Sequence, residues 1–417
     1  MFMNGYQCIK CSNAQSIDFE GFLCPDCGGN LDIRYDYQAA ARQIGGRFPD
    51  GADLFRFSAL LPLQQLRPDF PLKVGATPLY HAQRLGKRAG LSSLYLKDDT
   101  LNPSASLKDR ASAITIGRAM DIGAEVISIA STGNAGSSLA CLAAACGLSA
   151  VVFVPAAAPK AKLTQMLAFG ARVIAVDGSY DDAYDLCLTA SEEFGWFNRS
   201  TGYNAFTREG KKTCSYEIWQ DLGGKVPDRV VVPTGDGNII SAIWKGWCDL
   251  YEVGLIDRLP KIDCVQSINS PAVSQAIHGI RKAGRTDVDW STLEIRPVNA
   301  STVADSIAVD QPRDGLAAVK AVIASGGEAV TVADEEILAA IPEMARLSGV
   351  FPEPAAAAPW AGIRQMASTG QIGADERVVC IVTGNGLKDI AGAGKVAGQP
   401  KVIEPALKAV RACLADS

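Results

Sequence analysis

The segment Asn102-Pro-Ser-Ala-Ser-Leu-Lys108-Asp-Arg110 places a lysine where a turn gives way to a helix. A lysine in such a place is ordinarily a solvated surface charge. Two loops farther along the chain argue for more than that. Ser131-Thr-Gly-Asn-Ala-Gly136 joins an apolar strand to an Ala-rich helix, and Pro233-Thr-Gly-Asp-Gly-Asn238 makes the same kind of junction. A helix start aims unpaired N–H groups and the positive end of its dipole at whatever occupies the loop before it. A potentially nucleophilic amine with two loops suited to anions points to a Schiff-base enzyme holding a phosphorylated cofactor.

Within the second loop, Gly235 and Gly237 let the backbone approach a ligand closely, so Gly235, Asp236, Gly237, Asn238 and Ile239 offer a phosphate cradle that needs no basic side chain. The loop lacks the lysine of a P-loop and the spacing of a dinucleotide fingerprint, which leaves ATP and NAD poor candidates. In the first loop, the hydroxyls of Ser131 and Thr132, the carboxamide of Asn134 and the amides through Ala135 suit a substrate carboxylate. Asn134 also suits a phenolate oxygen; the plainer alternative is an ordinary N-cap. A third loop, Val382-Thr-Gly-Asn-Gly-Leu-Lys-Asp389, carries Thr383 toward a ring nitrogen, while Lys388 and Asp389 are expected to pair on the surface. Only His81 and His278 represent the commonest general base, and neither adjoins a serine, cysteine or acidic motif.

Cys8-Ile-Lys-Cys11 and Cys24-Pro-Asp-Cys27 stand twelve residues apart. Two close thiolate pairs can complete a tetrahedral shell, and the glycines after Cys27 relieve the turn presenting both sulfurs. The alternatives are two disulfides or four unrelated thiols. Disulfides conflict with the remaining cysteines, most of which stand singly in apolar contexts, such as Cys141, Cys146 and Cys380, as thiols do in a reducing compartment. A structural zinc ribbon held by Cys8, Cys11, Cys24 and Cys27 is the expectation. Its closed shell serves folding, not catalysis, and the residues between the pairs lack a basic-aromatic pattern for nucleic acid.

Strands are predicted at Ser93–Lys97, Val126–Ala130, Ala150–Pro155, Arg172–Val176, Arg229–Pro233, Ile262–Ser267 and Val378–Val382. Helices are predicted after most of them, at 109–122, 137–146, 160–169, 181–194 and 238–253. Such alternation specifies an α/β fold with parallel sheets, whose strand C-terminal ends carry the ligands. Residues 33–73 form a connecting region with short helices, ending in Pro68 and Pro71, and Glu353-Pro-Ala-Ala-Ala-Ala358 opens a tightly packed helix. A chain of 417 residues holds two or three domains, and 48% apolar with 20% charged residues is the composition of a globular protein. A net charge of −5 argues against nucleic-acid binding. No apolar run is long enough to span a bilayer and no basic-then-apolar leader opens the chain, so a cytoplasmic protein without membrane partners is expected.

Together, Gly75-Ala-Thr-Pro-Leu79, Asn102–Arg110, Ser131–Ala135, Glu209-Gly-Lys-Lys-Thr213, Pro233–Asn238, Phe351-Pro-Glu-Pro-Ala355 and Thr383–Asp389 resemble threonine synthase, within the tryptophan-synthase-β-like, fold-type-II pyridoxal-phosphate enzymes. The likeness runs in order from Val74 to Asp389, and several threonine synthases carry a similar cysteine ribbon. It implies two parallel-sheet strand–helix domains: a large cofactor domain of 74–111 and 205–417 and a smaller inserted one of 112–204, after a ribbon of 1–32. It implies that Lys108 binds pyridoxal phosphate as a Schiff base, that Asn134 touches the ring oxygen, that Gly235 through Ile239 cradle the phosphate, and that Thr383 meets the pyridine nitrogen. A hydroxyl opposite that nitrogen, instead of a carboxylate, leaves the ring largely unprotonated and favours elimination or replacement over transamination. Once displaced by the substrate amine, Lys108 is the natural proton shuttle. Such enzymes are commonly dimeric, so a homodimer is expected.

Three departures bear on the substrate. The family's Asn-Ser-x-Asn-Pro-Tyr-Arg-x-Glu-Gly holds the phosphate of O-phosphohomoserine through its Asn, Ser and Arg, and the corresponding residues here are Thr201, Gly202 and Thr207. A bidentate fork has become a neutral hydroxyl, with Arg208 as the nearest replacement. Thr-Gly-Ser-Phe-Lys has become Ser104-Ala-Ser-Leu-Lys108, and Ile239 stands where asparagine is common. The amino-acid substrate, phosphorylated or not, is then open among three readings. They are threonine synthase; a β-replacement or β-elimination relative, such as a cysteate synthase on O-phosphoserine or a serine/threonine dehydratase; and an inactive zinc-ribbon interaction module.

Overall fold

The computed structural model describes residues 1–415 apart from 66, 68, 159, 285 and 286, so Pro68 lies outside the described residues. A six-stranded sheet runs in the order Ala329–Val332, Lys261–Ser267, Arg229–Pro233, Arg377–Val382, Ser93–Asp98 and Leu79–His81. All neighbours are parallel except the last pair. A second, wholly parallel sheet orders Arg172–Val176, Ser149–Pro155, Val126–Ala130 and Phe197–Asn198. Every predicted strand is present, within a residue of its expected ends. Parallel strands are covered on both faces and therefore read as continuous apolar runs; Val230, Val231 and Val232 are wholly buried. Among the described residues no helix is long and apolar enough to cross a membrane.

Register decides which loops meet. Arg229 pairs with Val378 and Val231 with Cys380, so Pro233 ends level with Val382 and the loops after them leave side by side. Val382 in turn pairs with Asp98, which feeds the Asn102–Leu107 turn. The Leu107 amide donates to the Thr383 carbonyl at 2.8 Å, and Ser106 bridges Gly384. Those bonds tie the residue before Lys108 to the neighbouring strand end. The helix Pro354–Ser368 begins with proline at its first turn, where a missing N–H does no harm. Its Ala355–Ala358 stretch is buried, as the alanine tract predicts.

At the N-terminus, Met3–Cys8, Ala14–Gln15 and Leu31–Tyr35 form a three-stranded antiparallel sheet. The connecting region holds the helix Tyr37–Ile44 and the 3-10 helix Leu54–Leu60. His81 is exposed at a strand end, stacked on Tyr95, and His278 is exposed on the helix Ala272–Lys282.

Candidate active site

Lys108 opens the helix Lys108–Asp121. The turn before it is held by Ala105 in the left-handed region (φ 64°), by Asn385 N–H donating to Ala105 at 3.1 Å, and by the Ser104 amide donating to Asp109 at 2.6 Å. Opposite stands the loop Gly235–Asn238, from which the helix Asn238–Glu252 departs. Gly237 has φ 93°, and a Cβ there would lie 2.6 Å from the Asp314 carbonyl, so both backbone and packing require glycine. Between them lies a cavity. Lys108, Asn134, Gly235 through Ile239 and Thr383 all line it. Thus residues from the three predicted loops converge on one space.

Glu353 also lines the cavity. Its carboxylate accepts from Asn134 Nδ2 at 2.9 and 3.1 Å, which fixes the carboxamide. It arrives because the Glu353 amide donates to Gly384 at 2.9 Å and Pro352 bridges Asn385. The proline-flanked glutamate was visible in sequence, but nothing in it signalled a place in the site. Ser131 Oγ accepts from the amides of Gly133 and Gly136, a turn-stabilising role. Thr132 lines an adjoining cavity that shares Asn134 and Glu353, whereas Ala135 packs into the hydrophobic core.

Two expectations are corrected. Arg208 does not serve the cavity: its Nη2 donates to both carboxylate oxygens of Asp314 at 2.6 and 2.7 Å, and its Nη1 to Asp32 of the N-terminal sheet at 2.9 Å. Thr207 is buried beside it, donating to the Asn204 carbonyl and accepting from Asn238 at 3.4 Å. Successive helical residues point about 100° apart, so the arginine one place along faces the ribbon. Lys388 and Asp389 do not pair on the surface. Asp389 caps the helix Ile390–Ala397 through Gly392, and Lys388 turns inward to Ser137 Oγ at 2.8 Å and to Gln165.

Lys108 Nζ has no hydrogen-bond partner among the described residues. It lies deep in the protein, and burial, reinforced by the Arg199 guanidinium, brings its amine down to about 8. Asp236 is pushed up to about 6 by burial and by Asp314, while burial raises Glu353. A lysine with a depressed pKa is mostly protonated below that value and a free nucleophile above it. Acylation of Lys108 in cofactor-free protein should therefore rise through pH 8, and at pH 7 run at roughly one tenth of its plateau. Peptide mass spectrometry reads this directly; a profile still climbing at pH 10 would contradict the burial argument.

Away from this cavity, the sulfurs of Cys8, Cys11, Cys24 and Cys27 lie within 4.8 Å of one another. Cys8 and Cys27 approach to 3.4 Å, and Cys11 and Cys24 to 3.6 Å. Bonds of about 2.3 Å from one tetrahedral ion place sulfurs roughly 3.8 Å apart, so the cluster has the size of a zinc shell. The Lys10 and Cys11 amides point at Cys8 Sγ, as they do in a metal-binding knuckle.

The chain matches the family described as "Pyridoxal-phosphate dependent enzyme" over residues 71–384. It is 37% identical to the threonine synthase of Methanocaldococcus jannaschii, covering 95% of this chain and 96% of the relative. It is also 37% identical to that of Methanosarcina acetivorans, at 97% of each chain. Among solved structures, a threonine deaminase from Solanum lycopersicum superposes with a TM-score of 0.64 at 21% identity, over 77% of this chain and 87% of that one. The last likeness concerns the fold, and the whole-length relatives concern the family. The chain belongs to the pyridoxal-phosphate dependent enzymes, in their threonine synthase-like, fold-type-II group.

Proposed function

We propose that this chain is a threonine synthase, converting O-phospho-L-homoserine and water to L-threonine and phosphate. Relatives of that name align over nearly its whole length. The geometric observation that carries the reading is the unpartnered Lys108 amine facing a glycine loop and a helix start across one cavity.

Pyridoxal phosphate fits these residues. Lys108 would hold its aldehyde carbon, the amides of Gly235–Ile239 its phosphate, Thr383 its ring nitrogen and Asn134 its ring oxygen. When bound, the cofactor supplies an electron sink for charge developing next to the substrate α-carbon. The chain's own residues do the rest. Lys108 Nζ, poised near neutrality, takes protons from the substrate carbons and returns them. Glu353 keeps the Asn134 carboxamide from rotating. Ser131 shapes the turn whose amides and Thr132 receive the substrate carboxylate.

The four-cysteine cluster we assign to one structural zinc ion; the free thiols and their mutual distances support it. We also divide the chain as the strand order suggests: ribbon 1–32, connection 33–73, a large unit of 74–111 and 205–417 and an inserted unit of 112–204.

The purified protein, supplied with pyridoxal phosphate and O-phosphohomoserine, should release phosphate and form threonine in equal amounts. Absence of both products, with turnover of phosphoserine plus sulfite, or of serine or threonine, would move the assignment to a β-reaction.

A further inference from the structure

Among the described residues, lysines and arginines that are nine-tenths or more buried are ion-paired, with two exceptions beside the cavity. Lys97 meets Glu217 and Asp221, Arg110 meets Asp99 and Glu217, and Arg208 meets Asp314 and Asp32. Lys212 meets Glu209 and Asp249, and Lys245 meets Asp32. Arg199 and Lys211, both fully buried, have only neutral acceptors. Arg199 donates to Ser112 Oγ and Thr201 Oγ1, each at 3.2 Å, and to the Lys108 carbonyl at 3.5 Å. Lys211 Nζ donates to Asn238 Oδ1. Among the described residues no carboxylate stands within ion-pair distance of either.

Their partners locate them. Thr201 and Asn238 both line the cavity, and Asn238 also touches Thr207. The two cations therefore lie behind the polar wall at one end of the space without lining it, one among the residues following the strand Phe197–Asn198 and one at the end of the helix Phe206–Lys211. Burial and the charges of Lys108 and Arg199 hold Lys211 well below the ordinary lysine range, and burial brings Arg199 down to about 10. Lys211 can relieve that tension by shedding its proton, but a guanidinium at neutral pH cannot. An unpaired buried charge disfavours the fold unless something negative answers it. The carboxylates that line the cavity stand outside ion-pair distance: Asp236 accepts from the Arg313 amide and acts on Lys211 only at longer range, and Glu353 is taken by Asn134.

We propose that Arg199 and Lys211 form the subsite for the phosphoryl group of the substrate, replacing the arginine fork that Thr207 cannot supply. A phosphoryl dianion supplies the missing negative charge, and its oxygens accept from a guanidinium and an ammonium together. The cofactor's phosphate is assigned to the amides at the start of the helix Asn238–Glu252, which Lys211 borders through Asn238, and we assign the two cations to a second anion beside it. The assignment rests on reading the substrate as a phosphorylated amino acid.

Holoenzymes carrying Arg199→Met or Lys211→Met test it, with inorganic phosphate as probe. Each variant should raise KM for O-phosphohomoserine and weaken competitive inhibition by inorganic phosphate by about ten- to a hundredfold, the worth of a charge-assisted hydrogen bond. The cofactor dissociation constant, followed by equilibrium dialysis, should stay unchanged. The thermal midpoint of Arg199→Met in phosphate-free buffer should equal or exceed that of the parent protein, because the change removes an unanswered charge. Lys211→Arg should retain phosphate binding. Weaker cofactor binding with unchanged KM would give the cations to the cofactor's phosphate and overturn the proposal; so would lower melting with phosphate inhibition intact. If no threonine forms but inorganic phosphate binds the parent holoenzyme and not the variants, the subsite stands while the reaction assignment falls.

Discussion

Lys108→Ala should abolish threonine formation while leaving the protein folded. The proton transfers assigned to this amine are worth about 10²–10⁴-fold by themselves, and its covalent role adds to that. No other side chain lining the cavity offers a free amine, and neither histidine lies there. Folding survives because Lys108 Nζ makes no hydrogen bond, so its loss leaves no orphaned partner. Removing a buried amine that is costly to charge does not lower stability through that charge. A steady-state assay with a thermal melt separates the two effects. Parent-like turnover in the variant would sink the mechanism.

One zinc ion per chain, with joint loss of metal, stability and cofactor affinity in Cys11→Ser, is the second expectation. Structural zinc binding is worth roughly 10–16 kcal/mol in isolated peptides, and a ribbon deprived of it has too small a core to hold its shape. The consequence reaches the active site through named bonds. Asn30 donates to Asp314 at 3.0 Å and to the Arg313 carbonyl at 2.8 Å, and Asp32 accepts from Arg208 and Lys245, each at 2.9 Å. Asp314 in turn accepts from Asn238 at 2.7 Å, the first residue of the helix that faces Lys108. Elemental analysis of protein purified without chelator, then a melt and a cofactor titration of the serine variant, check each link. Metal-free protein that is fully stable would remove the claim; zinc loss with unaltered cofactor affinity would cut the link from ribbon to loop.

Much of the scaffold was readable in advance because buried parallel strands tolerate little besides β-branched and aliphatic residues. Val126–Ala130 and Arg229–Pro233 are such runs. Ala329–Val332 escaped notice because a few residues at a sheet edge carry no period worth counting. The helices Phe206–Lys211 and Thr213–Asp221 escaped for the opposite reason. They bury Arg208, Glu209, Lys211, Lys212 and Glu217, and a charged run reads as solvated surface.

Arg208 and Lys388 show why adjacency in sequence misleads. Neighbouring residues on a helical turn do not face each other. A one-place shift therefore carried Arg208 to Asp314, and Lys388 parted from Asp389.

From the residues alone came the lysine at a turn, the glycine loop, the paired cysteines and the alternation of strand and helix. Each is local, since backbone geometry and side-chain type act within a few residues. Which cations were answered and which were left bare depended on residues far apart in the chain. Arg199 and Lys211 look no different in sequence from Arg110 and Lys212, yet folding brought carboxylates into ion-pair distance of the second pair and, among the described residues, none that close to the first. Charge pairing depends on distance in space, and that is set only when the sheets and the helices packed on them have closed around the site.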